Sequence, residues 1–200
     1  MIIPVLPRDV ATAVTVLLLG CVALVETACV PVVVTGAIAG TAMVATDRRT
    51  TGTQLDDEVI EDKNVVALKE RFKGGDFHIN VTSYNGIVLL TGEVPTESAR
   101  ADVEQVVRAT PKVRAVQNEL VVGPATNLES RSNDTLITSK VKARFVEANK
   151  FQINVVKVVT EHGAVYLLGV VRHDEADAAT EIARTTSGVQ RVVKVFEYID

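Results

Sequence analysis

The chain reads as an α+β protein built from two tandem copies of one small domain, and three observations carry that reading. The first is a repeat. Ile79 to Val94 (INVTSYNGIVLLTGEV) returns 77 positions later within Val155 to Val171 (VVKVVTEHGAVYLLGVV), with Gly86 on Gly163, Gly92 on Gly169, Val88 on Val165 and Leu90 on Leu167. A fixed-period repeat defines the unit before anything else does. The second is a turn signal inside each copy: Asn85-Gly86 suits a type I′ hairpin turn, and His162-Gly163 is a weaker form of it. The third is helical periodicity before and after each hairpin, which makes each unit α-β-β-α-β with a three-stranded mixed sheet and two helices packed on one face.

Taken in order, the 200 residues begin with a segment unlike the rest. Residues 10–25 (VATAVTVLLLGCVALV) are uncharged and follow Arg8. A spanning helix needs about 20 apolar residues, so this run is short for one and fits a secretory signal. Both cysteines, Cys21 and Cys29, lie in or just after it, so the folded part holds neither a disulfide nor a Cys-based metal site. A Cys after small residues at the end of such a run resembles a bacterial lipobox. Leu18-Leu19-Gly20-Cys21 and Glu26-Thr27-Ala28-Cys29 both qualify, with an uncleaved anchor as the alternative. The expected organisation is a lipoprotein signal peptide (1–28), a tether (29–54), a first domain (55–123), a linker (124–131) and a second domain (132–200).

Residues 47–57 (DRRTTGTQLDD) read as polar linker. Helical spacing then starts near Asp57, with Val59, Ile60, Val66, Leu68 and Phe72 as an imperfect apolar stripe that Gly74-Gly75 ends. After the first hairpin, Thr96 is an N-cap for a helix burying Ala99, Val103, Val106 and Val107. Residues 113–122 form the third strand. The unit restarts with N-cap candidates at Ser132 to Thr135 and the stripe Ile137, Val141, Phe145. Asp174 caps the last helix, and residues 189–199 are the last strand. Gly86, Gly92, Gly163 and Gly169 are structural turn and closing glycines.

Each hairpin carries G-x-V-x-L-x-G-x-V, standing as Gly86-Val88-Leu90-Gly92-Val94 and Gly163-Val165-Leu167-Gly169-Val171. The last strand is entered through Gly188-Val189-Val192, and in the first copy through Lys112-Val113-Val116 without the glycine. This pattern resembles the BON domain, a bacterial module of periplasmic and membrane-associated proteins. With ATDRRTTGTQLDD before the first copy and SNDTLITSKVKA opening the second, the chain is similar to dual-BON outer-membrane lipoproteins. The resemblance implies a lipidated Cys about 18 residues before Asp47, which selects Cys29 over Cys21. It also implies a periplasm-facing lipoprotein that binds anionic phospholipid through the first helix of its second domain and supports envelope integrity.

Composition excludes other classes. A net charge of −4 lacks the basic footprint of nucleic-acid binding. His78, His162 and His173 are expected to be solvated. Asp56-Asp57 and Glu61-Asp62 are adjacent on a helix and diverge, so they read as charges complementing the helix dipole. The chain is expected to be no enzyme, with no cofactor, no metal and no small-molecule substrate. The helix from Asp134 to Ala148 offers more. It mixes Leu136 with Lys140, Lys142 and Arg144, and apolar insertion beside cations is the physical recipe for docking on an anionic membrane. Leu136, Lys140, Val141, Lys142, Arg144 and Phe145 are the candidate phospholipid-binding residues, with a merely solvated basic face as the alternative. Relatives can carry an aromatic at Leu136, and Leu lacks the interfacial preference of Trp. Other readings are an adaptor for an outer-membrane assembly machine, using sheet faces that present Leu89 and Tyr166, or a periplasmic stress chaperone.

Overall fold

The structure, a computed structural model, describes residues 47–73 and 77–200. The expected signal peptide, both cysteines and the apolar tether to residue 46 lie outside the described residues. Two α-β-β-α-β units follow. The first contains α1 (Thr51–Arg71), β1 (His78–Tyr84), β2 (Ile87–Val94), α2 (Glu97–Arg108) and a third strand split into β3 (Ala115–Asn118) and β4 (Val121–Val122). The second contains α3 (Leu128–Ala148), β5 (Val156–Glu161), β6 (Ala164–Val171), α4 (His173–Arg184) and β7 (Arg191–Tyr198). Each hairpin is antiparallel, and the third strand joins its second strand in parallel. A parallel neighbour needs a crossover, which α2 and α4 provide.

Both turns take the left-handed conformation that type I′ requires, at Asn85 (φ 53°) and Gly86 (φ 74°) and at His162 (φ 51°) and Gly163 (φ 69°). The closing glycines answer a different need. A Cβ on Gly92 would collide with the carbonyl oxygen of His78, and one on Gly169 with that of Val155.

The two leading helices are longer than their periodicity suggests. Thr50 Oγ1 accepts from Thr53 N at 3.1 Å and starts α1 inside the expected linker. Asn127 Oδ1 does the same for Ser130 N at 2.9 Å, so α3 starts at Leu128, and Ser132 to Thr135 are interior residues rather than caps. Thr96 caps α2 as expected, accepting from Ala99 N. In α4 the N-cap is Arg172, two residues before the expected Asp174, and the Glu175 carboxylate accepts its backbone amide at 2.9 Å.

Helix length exposes a second correction. The inward face of α1 is Asp57, Ile60, Asn64 and Leu68, while Val59 and Val66 point outward. Asp57 is buried and accepts from the amides of Asn85 (2.7 Å) and Gly86 (2.8 Å), from Ser83 Oγ (2.6 Å) and from Arg49 Nη1 (2.9 Å). At the equivalent place 77 residues on, buried Asp134 accepts from the amides of His162 (3.0 Å) and Gly163 (2.8 Å). Asp57 is therefore no dipole-complementing surface charge. In both units a helix carboxylate holds the hairpin turn.

One face of each sheet packs on its own helices, with Ile60, Val88, Leu90, Val103 and Val107 in the first core and Ile137, Val141, Phe145, Val165 and Leu167 in the second. The other two faces pack on each other. Tyr84 and Leu89 of the first sheet form one buried cluster with Ala164, Tyr166 and Leu168 of the second. Leu89 and Tyr166, expected to present a surface, are 1% and 2% exposed. The sheet faces thus cannot be the adaptor surface. Buried tyrosines need hydroxyl partners, and Tyr84 donates to the Val155 carbonyl at 3.4 Å while Tyr166 accepts from Arg191 at 3.0 Å.

A polar rim surrounds this apolar layer. Lys157 pairs with Glu61 at 2.9 Å, Arg114 with Glu197 at 2.9 Å and Arg191 with Glu119 at 3.1 Å. The segment before α1 reaches across as well. Arg48 grips Glu175 through Nη1 and Nη2, at 2.6 and 2.8 Å, and donates from Nη1 to the Val170 carbonyl. Arg48 holds the Glu175 carboxyl below the usual carboxylate range, chiefly by that hydrogen bonding. Arg49 stacks 3.8 Å over the Tyr84 ring.

Burial alone would push the Asp57 carboxyl up, but donors from Ser83, Gly86, Asn85 and Arg49 outweigh it and hold it below its ordinary 3.8. A lowered folded value contributes stability that is complete above 3.8 and is lost as pH falls through the folded value. Asp57→Asn is expected to cost about 2–4 kcal/mol at neutral pH by urea denaturation. Its stability should also fall less than the native protein's between about pH 7 and about pH 3.

Candidate functional site

With the sheet faces closed against each other, the surfaces left to the helices decide what the molecule can meet. At about 100° per residue, α3 turns Asp134, Ile137, Val141 and Phe145 inward. Its opposite face carries Leu128, Leu136 and Val146, exposed at 78%, 59% and 63%, within about a quarter-turn of one another. Lys140 and Lys142 are exposed on either side of this apolar line and make no hydrogen bond or ion pair among the described residues.

The hydroxyls on the same face are already satisfied. Ser132 Oγ donates to the Leu128 carbonyl, Thr135 Oγ1 to that of Arg131 and Ser139 Oγ to that of Thr135, at 2.9–3.0 Å. Covering this face would therefore leave no hydroxyl proton without a partner, which removes one of the usual costs of dehydrating Ser and Thr.

Three of the six residues expected to bind phospholipid lie elsewhere. Val141 and Phe145 are 0% and 1% exposed in the second core, so the spacing-four stripe that makes them conspicuous is the packing face. Arg144 Nη1 donates to the Ile182 carbonyl and to Thr186 Oγ1, both at 2.8 Å, and so closes the C-terminus of α4. Leu136, Lys140 and Lys142 remain outward together. Leu128 escaped notice because its segment read as linker, and the available signal was Asn127 as an N-cap.

Helix α1 shows the same geometry with a different charge. Leu55, Val59 and Val66 form an exposed apolar line, and the 77-residue offset places Val59 on Leu136 and Lys63 on Lys140. Around it stand Glu58, Asp62 and Glu70. Helix α1 carries six acids against three bases, α3 three acids against four bases.

Of the histidines expected to be solvated, His162 and His173 are exposed and His78 is partly buried. His78 and His162 lie at the boundary between the two sheets, both against Glu93. His173 is stacked 4.2 Å from the Tyr198 ring and hydrogen-bonded to Asp200. Among the described residues no helix is long and apolar enough to cross a membrane.

Comparison with known proteins agrees with this architecture. Residues 56–124 and 133–200 each match the model of the BON domain. The chain is 40% identical over 188 residues to the outer membrane lipoprotein DolP of Haemophilus influenzae, covering 93% of this chain and 92% of that protein. It is 37% identical over 154 residues to the 21 kDa hemolysin of Actinobacillus pleuropneumoniae, covering 76% and 79%. Osmotically-inducible protein Y of Escherichia coli is 28% identical over 144 residues, covering 70% and 72%.

The two sets of α3 residues should separate in stability. Val141→Ala and Phe145→Ala are expected to cost about 2–5 kcal/mol in urea unfolding. Leu136→Ala should stay within about 0.5 kcal/mol of the native protein.

Proposed function

The chain belongs to the BON domain family, and on that premise we propose that it is a non-enzymatic outer-membrane lipoprotein whose second domain docks on anionic phospholipid. Its place at the outer membrane and in envelope function follows its 40% identity to an outer membrane lipoprotein. The lipid anchor assigned to Cys29, with Cys21 as the alternative, would hold the folded part near the bilayer.

The observation that carries the docking reading is the outward face of α3: Leu136 and Val146 exposed, Lys140 and Lys142 unpaired beside them. Seating two aliphatic side chains contributes about 3–5 kcal/mol, and two lysines near an anionic surface about 2 kcal/mol more. That sum alone gives weak binding, about 0.2 mM to 10 μM. A lipid anchor raises the local concentration enough to make it effective. The acidic surround of Leu55, Val59 and Val66 on α1 disfavours the same surface for the first domain. Those three residues, rather than the sheet faces, are a candidate surface for the alternative reading as a periplasmic adaptor or chaperone.

Co-sedimentation of the purified protein with vesicles tests the reading. Vesicles containing phosphatidylglycerol should retain it and pure phosphatidylcholine vesicles should not, with Leu136→Glu and Lys140→Glu each weakening binding about tenfold or more. Equal retention on both vesicle types, or native retention of Leu136→Glu, would refute the docking face.

A further inference from the structure

Where the two sheets meet, four side chains with metal-binding atoms converge from both domains. His78 lies at the start of β1, Glu93 near the end of β2, Glu161 at the end of β5, and His162 in the turn after it. His78, Glu93 and Glu161 each present one donor atom, and these atoms all lie within 4.8 Å of one another. Glu93 divides its two oxygens between the imidazoles: Oε2 lies 3.0 Å from His78 Nδ1, and Oε1 is hydrogen-bonded to His162 Nε2.

The two carboxylates are not equally provided for. Glu93 is 1% exposed and also accepts from the amide of Thr126 at 3.0 Å and from its hydroxyl at 2.9 Å. Glu161 accepts from Asn80 at 2.8 Å through Oε2, but its Oε1 stands 4.0 Å from His78 Nδ1, beyond hydrogen-bonding distance. His78 Nδ1 holds one proton at most, so it cannot serve both acids. Two nearly buried carboxylates this close repel each other. A cation between them would remove the conflict.

We propose that His78, Glu93, Glu161 and His162 form a binding site for a zinc-class divalent cation that staples the two domains together. Imidazole and carboxylate are the donors such an ion takes. Four tetrahedral ligands at about 2.1 Å lie about 3.4 Å apart; the donors of His78, Glu93 and Glu161 already lie within 4.8 Å of one another, and His162 adjoins them through its contact with Glu93. All four positions are filled by protein, which is the pattern of a structural site. Thr126 on Glu93 and Asn80 on Glu161 are the outer hydrogen bonds that orient carboxylate ligands. The ion has a way in: a cleft of about 250 Å³ opens onto His78 and Glu161. Arg131 is the one Lys or Arg lining that cleft, and it turns to the Thr126 carbonyl. Because each domain supplies two ligands, bound metal would oppose separation of the sheets.

Titration of zinc chloride into the chelator-stripped full chain by calorimetry, with thermal melting alongside, tests the site. His162→Asn is the first variant, since Asn tolerates the left-handed conformation of that turn. Glu161→Gln is the second, an isostere that still accepts from Asn80. The expected result is one equivalent of zinc bound by the native chain, and a melting temperature raised by about 5–10 °C at a hundredfold excess over Kd. Both variants should melt near the metal-free native temperature and bind at least tenfold more weakly. No saturable binding by the native chain, or unchanged zinc affinity in both variants, would overturn the proposal and leave the cluster as a hydrogen-bonded contact between domains.

Discussion

The packing of one sheet on the other is the constraint from which the rest follows. A three-stranded sheet with helices on one side leaves its second face apolar and wet, and a domain of this size has little burial to spare. Here Tyr84 and Leu89 close that face against Ala164, Tyr166 and Leu168. The Arg48 grip on Glu175 and the rim of ion pairs then fix the relative setting of the two domains. With the sheet faces packed on each other, the outward sides of the helices carry most of the exposed large apolar side chains among the described residues.

On those outward sides the two copies have diverged by charge more than by shape. Val59 and Leu136 occupy one equivalent position and Lys63 and Lys140 another, so the backbone offers both helices the same opportunity. Glu58 and Asp62 in the first copy are replaced by Thr135 and Ser139 in the second, whose hydroxyls bond to the helix itself. Acids near an anionic surface are repelled, while self-bonded hydroxyls are indifferent to it. One duplicated scaffold thereby carries an acid-rich outward face and an acid-poor one, the difference on which the docking proposal rests.

Much of this was legible before the structure. The hairpins announced themselves through Asn85-Gly86 and the closing glycines, because positive φ and strand crowding admit few residues. The departure at Lys112 was legible too: it takes φ 71° where Gly188 has 97° in the second copy, so the first copy bears strain at a position the other leaves to glycine. Periodicity failed where polar residues do interior work. Asp57 and Asn64 face inward, so an apolar count placed Val59 and Val66 on the wrong side of α1. Nor does one strand reveal what covers its second face; alternation marks Leu89 and Tyr166 as opposite Val88 and Val165, but only the paired sheets show that both are buried. The candidate site was half legible for the same reason, since Val141 and Phe145 stand beside Leu136 in sequence and opposite it in space.

The central claim is that the sheets are closed on each other and that the membrane meets the outward face of α3. Nuclear magnetic resonance of the protein on anionic vesicles carrying a spin-labelled lipid would test it directly. Line broadening should concentrate at Leu128, Leu136, Lys140 and Val146 and leave Leu89, Tyr166 and Val59 sharp. Broadening at Leu89 and Tyr166, or at Val59 and Val66 in preference to Leu136, would contradict the account.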